Sequence, residues 1–375
     1  MFKNDEKLKV LLISPLPPPA GGIATWTKLF INSELAKENK VDIVNSAIQG
    51  ERVNNLEKKN LLEEIKRVTS IYKSMKSELK NNYDIVHFNS ACSTLGMIRD
   101  YICIKKAKKT KAKVVVHFHC DTSFMVKGKL SKLIFRGICK SADQLFCLNQ
   151  ASEEYIKNIS NKNSIKIPNF IDLENIYNNH LNISNKIKNI IFVGHVTKNK
   201  GCFEIISIAE KLPNINFKVI GKASGEFTFI NKPRNLQHYG EVSKEEVLNQ
   251  LTSSDLLLFP TFTEGFPNVV LEAMACGLPI ISTPVGAIPE MIEAKGGILV
   301  DVADINGNIK AINTLQDKEK RLCMSLWNRE KVRDNYTTNV VMEKIFQEYF
   351  NLINNPVAEY FEEQSITLYT NNDGV

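Results

Sequence analysis

No stretch of this 375-residue sequence reaches the ~18 uninterrupted apolar residues a membrane-spanning helix needs. The apolar run nearest the N-terminus, Val10 to Ile13, is closed by Pro15 and is too short for a signal peptide or a span. Any membrane contact is therefore expected to be peripheral. The eight cysteines, at 92, 103, 120, 139, 147, 202, 276 and 323, include no CxxC pair and no regular ligand spacing. Lying mostly in apolar runs, they read as reduced core residues of a cytoplasmic protein. Charge of one sign is not in large excess. The formal net charge is +7, with 41 acids opposing the bases, which is a solubility feature rather than a nucleic-acid footprint.

With 43% hydrophobic and 24% charged residues the composition is that of a globular protein, and the length calls for two domains. Apolar runs of strand length alternate with segments of helical spacing. Leu8 to Pro15, Ile85 to Ala91, the stretch Val114 to Phe124, a buried strand running directly into a polar loop, and the strand QLFCLN lie in the first half. After a polar, Asn-rich stretch, NNHLNISNKIKN, the alternation restarts at NIIFVGHVTKNKG and continues through FKVIG and NLQHYG. This predicts an α/β fold of two doubly wound, Rossmann-like domains facing across a cleft. The expected division is a first domain at 1–175, a linker at 176–188 and a second domain at 189–345. The remainder, 346–375, reads as a terminal helix packing back toward the first domain and a partly disordered tail.

Residues 255 to 292, DLLLFPTFTEGFPNVVLEAMACGLPIISTPVGAIPEMI, concentrate the chemistry. The pattern is an apolar strand Leu256 to Phe259, a polar loop holding Glu264, a helix expected from Pro267 to about Cys276, and a second strand from Ile280. Ligands of open α/β sheets sit beyond the carboxyl ends of strands, which puts Glu264 and the Gly265, Phe266, Pro267 and Asn268 backbone at a pocket mouth. A helix start there makes an anion site, since first-turn amides lack partners inside the helix and the dipole is positive at that end. Two carboxylates, Glu264 and Glu272, beside an anion site favour a ligand bearing both hydroxyls and phosphate, such as a nucleotide sugar. Lys200, in the loop after the second domain's first strand, supplies a cation for a departing diphosphate.

The first half contributes less specific signals. The loop PLPPPAGGIATW puts Gly21 and Gly22 before a helix, which suits a phosphate cradle and equally a plain tight turn. In VVVHFHCDTSF, alternation puts His117 and His119 on one side of a strand end. HxH without a third ligand is a weak metal signal, so hydrogen bonding to substrate and a structural histidine remain the competing readings. KKAKKTKAK, 105 to 113, holds six lysines beside Tyr101, Ile102 and Ile104, open to an anionic membrane surface or to a solvated helix end.

Two segments resemble a known family. TEGFPNVVLEAMACGLPIISTPVGAIPEMI is similar to the E-x7-E signature of the retaining family-four glycosyltransferases of the GT-B fold, and FVGHVTKNKG resembles their VGR-x-x-x-x-KG segment. PAGGIATW, HFHCD and IPNFID match more loosely. The resemblance implies transfer of a sugar, with retention of configuration, from a nucleoside diphosphate donor, commonly a UDP-sugar, to a hydroxyl of a saccharide or lipid-linked saccharide. It implies that Glu264 contacts the donor sugar, Glu272 the ribose, and Lys200 with the Gly265 to Asn268 backbone the diphosphate. His119 would face the reacting sugar, with Gly21 and Gly22 near the diphosphate or the acceptor. No metal or other cofactor is expected. His195 stands where arginine is usual, Phe170 replaces a glycine, and the VIGKASGE loop departs from the family pattern. An epimerase on the same architecture and a noncatalytic binding protein are the alternative readings.

Overall fold

The structure, a computed structural model, describes residues 7–18, 21–47, 61–90, 92–173, 183–224 and 232–354. Most of the expected linker, the end of VIGKASGE with the chain on to 231, and the tail beyond 354 lie outside the described residues.

In the first half, β1 (Lys9–Ser14) leads to α1 (Gly22–Asn32), α2 (Glu34–Glu38), β2 (Lys40–Asn45) and α3 (Leu61–Glu78). β3 (Ile85–Ser90), α4 (Thr94–Ala107), β4 (Lys113–Phe118), α5 (Thr122–Met125) and α6 (Lys129–Ser141) follow. β5 (Gln144–Cys147), α7 (Gln150–Ser160) and β6 (Ile165–Lys166) complete that sheet. The second half runs β7 (Asn189–Val193), α8 (Cys202–Lys211), β8 (Asn216–Ile220), β9 (Leu236–Gly240), α9 (Lys244–Thr252) and β10 (Leu256–Phe259). It continues with α10 (Asn268–Ala275), β11 (Ile280–Ser282), α11 (Ile288–Gly296) and β12 (Gly297–Leu299). The described residues end with α12 (Ile305–Thr314), α13 (Lys318–Asn335) and α14 (Thr338–Asn354).

Among the described residues these strands form two six-stranded sheets, ordered β2-β1-β3-β4-β5-β6 and β12-β11-β10-β7-β8-β9, with neighbouring strands parallel. The expected α/β architecture of two doubly wound domains is what the chain adopts. Continuous apolar runs became central strands because parallel strands are covered on both faces: β3 and β10 are buried along their whole length. Each sheet has one point where the chain reverses its direction of growth. In the first it lies between β1 and β3, and in the second between β7 and β10. Loops leaving adjacent strands at such a point diverge to opposite faces and open a crevice at the carboxyl ends.

α14, the last helix among the described residues, returns to the first domain. Val341, Met342, Ile345, Phe346 and Tyr349 fall on one stripe of α14 and are buried with Trp26, Phe30, Leu12, Val115 and Phe146 against the first sheet. Phe170, in place of the expected glycine, fills this cluster with its ring 5.6 Å from that of Trp26. Burying an aromatic ring there stabilises the fold by about 2–3 kcal/mol, which gives the substitution a packing reason.

Candidate active site

The Lys200 and Glu264 loops leave β7 and β10, the two strands flanking the reversal in the second sheet, and meet in its crevice. Gly201 makes that approach possible. It has φ +77, and a Cβ there would lie 2.1 Å from the Pro260 carbonyl oxygen, so only glycine lets the KG turn press against the start of the β10 loop. The amide of Phe262 then donates to the Asn199 carbonyl at 3.0 Å. Lys200 Nζ donates to Glu264 Oε1, and the Thr261 hydroxyl approaches the same oxygen at 3.4 Å. From the far side Gly286, at φ +57, packs on the Glu264 carbonyl, and the Ala287 amide donates to the Gly265 carbonyl at 2.9 Å. The Glu264 backbone is thus held from both sides.

Burial pushes the Glu264 carboxyl above its ordinary range, against the downward pull of the Lys200 ammonium and the Thr261 hydroxyl. Glu272, in the second turn of α10, is also raised by burial, with Lys244 opposing at a distance. Each carboxylate is therefore poorly solvated and suited to accepting hydrogen bonds from a ligand's hydroxyls.

α10 begins at Asn268, one residue later than expected, because Pro267 keeps ψ at 115 and serves as the N-cap. The helix N-terminus itself is where the sequence placed it. Phe266 is buried with its ring 5.5 Å from Tyr336, so its contribution to the cleft is backbone. Across the cleft Gly21 is the N-cap of α1 and Gly22 its first residue. A Cβ on Gly22 would lie 4.0 Å from Asn268 Nδ2, so the N-termini of α1 and α10 lie next to each other. His195 stands exposed just beyond β7.

His119 follows β4 in the first domain, half-buried, with its ring 3.9 Å from His117 and 5.1 Å from Trp26. The side pairing of His117 and His119 read from strand alternation is therefore present. The Asn89 amide donates to Ser14 Oγ at 2.9 Å, so its carbonyl accepts from His119 Nε2, also at 2.9 Å. That fixes the proton on Nε2 and leaves Nδ1 as an acceptor. Burial, with the nearby His87, pushes His119 down to about 3, while the Asn169 amide pulls the other way. His87 is likewise pushed down to about 3 and His117 well below its ordinary value, both chiefly by burial. His87 Nδ1 is hydrogen-bonded to the Tyr349 hydroxyl of α14. His87, His117 and His119 are therefore neutral at pH 7. His119 is a hydrogen-bonding group, not a cation.

Sequence reasoning missed the residues that join the domains. Asn169, in IPNFID, donates from Nδ2 to the Phe266 carbonyl and to Asn268 Oδ1, both at 2.9 Å, and it also neighbours His119. Asn149 caps α7 through its Oδ1 and donates from Nδ2 to the Gly265 carbonyl at 2.9 Å. Glu290 accepts from the Gln150 amide at 2.7 Å and from Lys166 Nζ at 2.9 Å. The available signal was a polar residue just past a strand in otherwise apolar surroundings.

Comparison with known proteins adds to this geometry. Residues 174–331 match the family model for glycosyl transferases group 1. The chain is 29% identical over 301 residues to N-acetyl-alpha-D-glucosaminyl L-malate synthase of Bacillus anthracis, covering 73% of this chain and 76% of the relative. It is 27% identical over 331 residues to the UDP-Gal:alpha-D-GlcNAc-diphosphoundecaprenol alpha-1,3-galactosyltransferase of Escherichia coli, covering 79% and 82% respectively. In structure it is similar to sucrose-phosphate synthase of Thermosynechococcus elongatus, with a TM-score of 0.75 at 17% identity over 92% of this chain and 99% of that one. The fold is GT-B, and the family match and the relatives support a group 1 glycosyltransferase.

Proposed function

We propose that the protein is a retaining glycosyltransferase that moves a sugar from a nucleoside diphosphate donor, a UDP-sugar, to a hydroxyl of a saccharide or lipid-linked saccharide acceptor. The observation that carries this reading is the meeting of two helix N-termini, at Gly22 and Asn268, beside Lys200 and two poorly solvated glutamates. Two positive helix ends and an ammonium suit a diphosphate, and the carboxylates suit sugar and ribose hydroxyls. The relative from E. coli, whose name gives UDP-Gal as donor and a diphosphoundecaprenol-linked sugar as acceptor, supports the choice of both.

On this reading the bond between the anomeric carbon and the diphosphate oxygen breaks, and the acceptor oxygen bonds to the same face of that carbon. The acceptor proton leaves with the diphosphate. Lys200 and the amides at Gly265 to Asn268 hold the charge that develops on the leaving group, so the step needs no metal. Glu264 holds the donor sugar, Glu272 the ribose, and neutral His119 offers Nδ1 to a sugar hydroxyl from the opposite wall. His195 lies beside the diphosphate. We place the reaction in the cytoplasm, at the inner face of the cell membrane. The eight unpaired cysteines support a reducing compartment.

A panel of nucleotide sugars screened by thermal shift tests the donor, since a ligand of the folded state raises Tm. Proton NMR of the product tests the stereochemistry. UDP-sugars are expected to raise Tm and the product to keep the donor's anomeric configuration. No shift with any nucleotide sugar would remove the donor assignment, and an inverted product would remove retention.

A further inference from the structure

The first domain distributes its charge unevenly. Between Asp100 and Asp143 the sequence holds eleven lysines and arginines and one acid, Asp121. Asp121 is engaged as the N-cap of α5, accepting from the Ser123 and Phe124 amides. The same segment exposes large apolar side chains. Phe124 and Met125 of α5 are 46% and 45% exposed, and Leu130 and Leu133 at the start of α6 are 59% and 69% exposed. Leu95 and Ile102, seven residues apart and so on one side of α4, are exposed as well. The Thr94 and Ser131 hydroxyls, 3.0 Å apart, tie the start of α4, with Leu95, to the start of α6, with Leu130 and Leu133. A lone exposed leucine is ordinary, but a contiguous group marks an interaction surface.

Cations surround the group. Lys127 Nζ lies 4.4 Å from the centre of the Phe124 ring, and Lys129, Lys132 and Arg136 are exposed along α6. At the other ends of α4 and α6 a cavity of about 430 Å³ is lined by Lys105, Lys108, Lys140 and Lys162. Its one carboxylate, Asp143, is paired with Lys108. Among the described residues no helix is long and apolar enough to cross a membrane.

We propose that the face formed by α4, α5 and α6 docks on an anionic bilayer, with Phe124, Met125, Leu130 and Leu133 entering the interfacial layer and the lysine cavity taking a lipid phosphate. This moves the contact from the lysine run at 105–113 alone to a face whose apolar centre lies at 124–133. Apolar side chains interleaved with long lysine stems suit a fluid, negatively charged surface, because the stems cover the apolar groups and still reach lipid phosphates. α5 begins three residues after His119, so docking sets the acceptor side of the cleft at the bilayer. The inference rests on the lipid-linked acceptor reading above and narrows it.

Sedimentation of the full chain with phosphatidylcholine vesicles, with and without phosphatidylglycerol, reads the contact in the absence of donor and acceptor. Binding is expected only with phosphatidylglycerol present, and it should weaken as salt is raised. Lys129→Gln and Lys132→Gln should each reduce it roughly five-fold. Leu130→Glu combined with Leu133→Glu should abolish binding while leaving the melting curve and transfer to a water-soluble acceptor unchanged. A wild-type chain that stays in solution, or binds both vesicles equally, overturns the proposal. If it stays in solution and the leucine variant changes its oligomeric state, the face is a protein contact instead. Vesicle binding without transfer from any nucleotide sugar would remove the enzymatic reading and leave the docking face standing.

Discussion

The Lys200 ammonium is hydrogen-bonded directly to the Glu264 carboxylate, so the two groups assigned to different parts of one ligand are paired with each other. Burial raises Glu264, and the ammonium is the larger of the influences that hold it down. A diphosphate arriving at the α10 N-terminus competes for that ammonium. On this account the exchange moves Lys200 to the leaving group and turns the carboxylate toward the sugar.

Lys200→Ala should therefore lower turnover by about 10²–10³-fold at saturating donor, the usual cost of losing a preorganised group at developing negative charge. The assay is release of nucleoside diphosphate. Near-normal turnover would remove Lys200 from the mechanism.

Asn169 joins the two walls of the cleft, touching Phe266 and Asn268 on one side and neighbouring His119 on the other. Asn169→Ala removes two hydrogen bonds worth about 1 kcal/mol each. Asn169→Asp should be worse, since it sets a carboxylate oxygen against two acceptors. A positioning role predicts that kcat falls more than KM rises, and further in the Asp variant. If both variants change only Tm, Asn169 is structural.

Acid should destabilise the fold. His87 and His119 are pushed down to about 3 and His117 well below its ordinary value, so the unfolded chain binds protons near pH 6.5 that the folded chain refuses. Their contribution is complete above about 6.5 and is lost as pH falls toward 3, at up to about 1.4 kcal/mol per pH unit per histidine. The raised Glu264 and Glu272 act in the opposite sense and offset part of this. Denaturant unfolding at pH 7 and pH 5 should give the lower stability at pH 5; equal values would contradict the neutral, buried histidine cluster.

Much of this was legible in the sequence because parallel strands and helix starts are local. The apolar runs marked β1, β3, β4, β7 and β10. Gly201 was visible as part of KNKG, but the reason for it, contact with Pro260, depends on two strands separated in sequence. The pairing of Lys200 with Glu264 and the bridging by Asn149, Asn169 and Glu290 are long-range, and a lone asparagine after a strand carries no periodic signal. The exposed apolar residues of α5 and α6 were hidden for another reason: phenylalanine, methionine and leucine on an amphipathic helix read as core until the packing shows which side is covered.

The central claim is that a diphosphate sits between the N-termini of α1 and α10. Calorimetric titration of UDP into the wild-type chain and Gly22→Asp tests it directly, because the cleft has room for a Cβ at Gly22 and an acidic residue favours a helix N-terminus. The account predicts an unchanged or higher Tm together with a loss of UDP affinity of about 100-fold or more, from a carboxylate placed against the phosphates at short range. Wild-type affinity for UDP in a folded Gly22→Asp chain would contradict it.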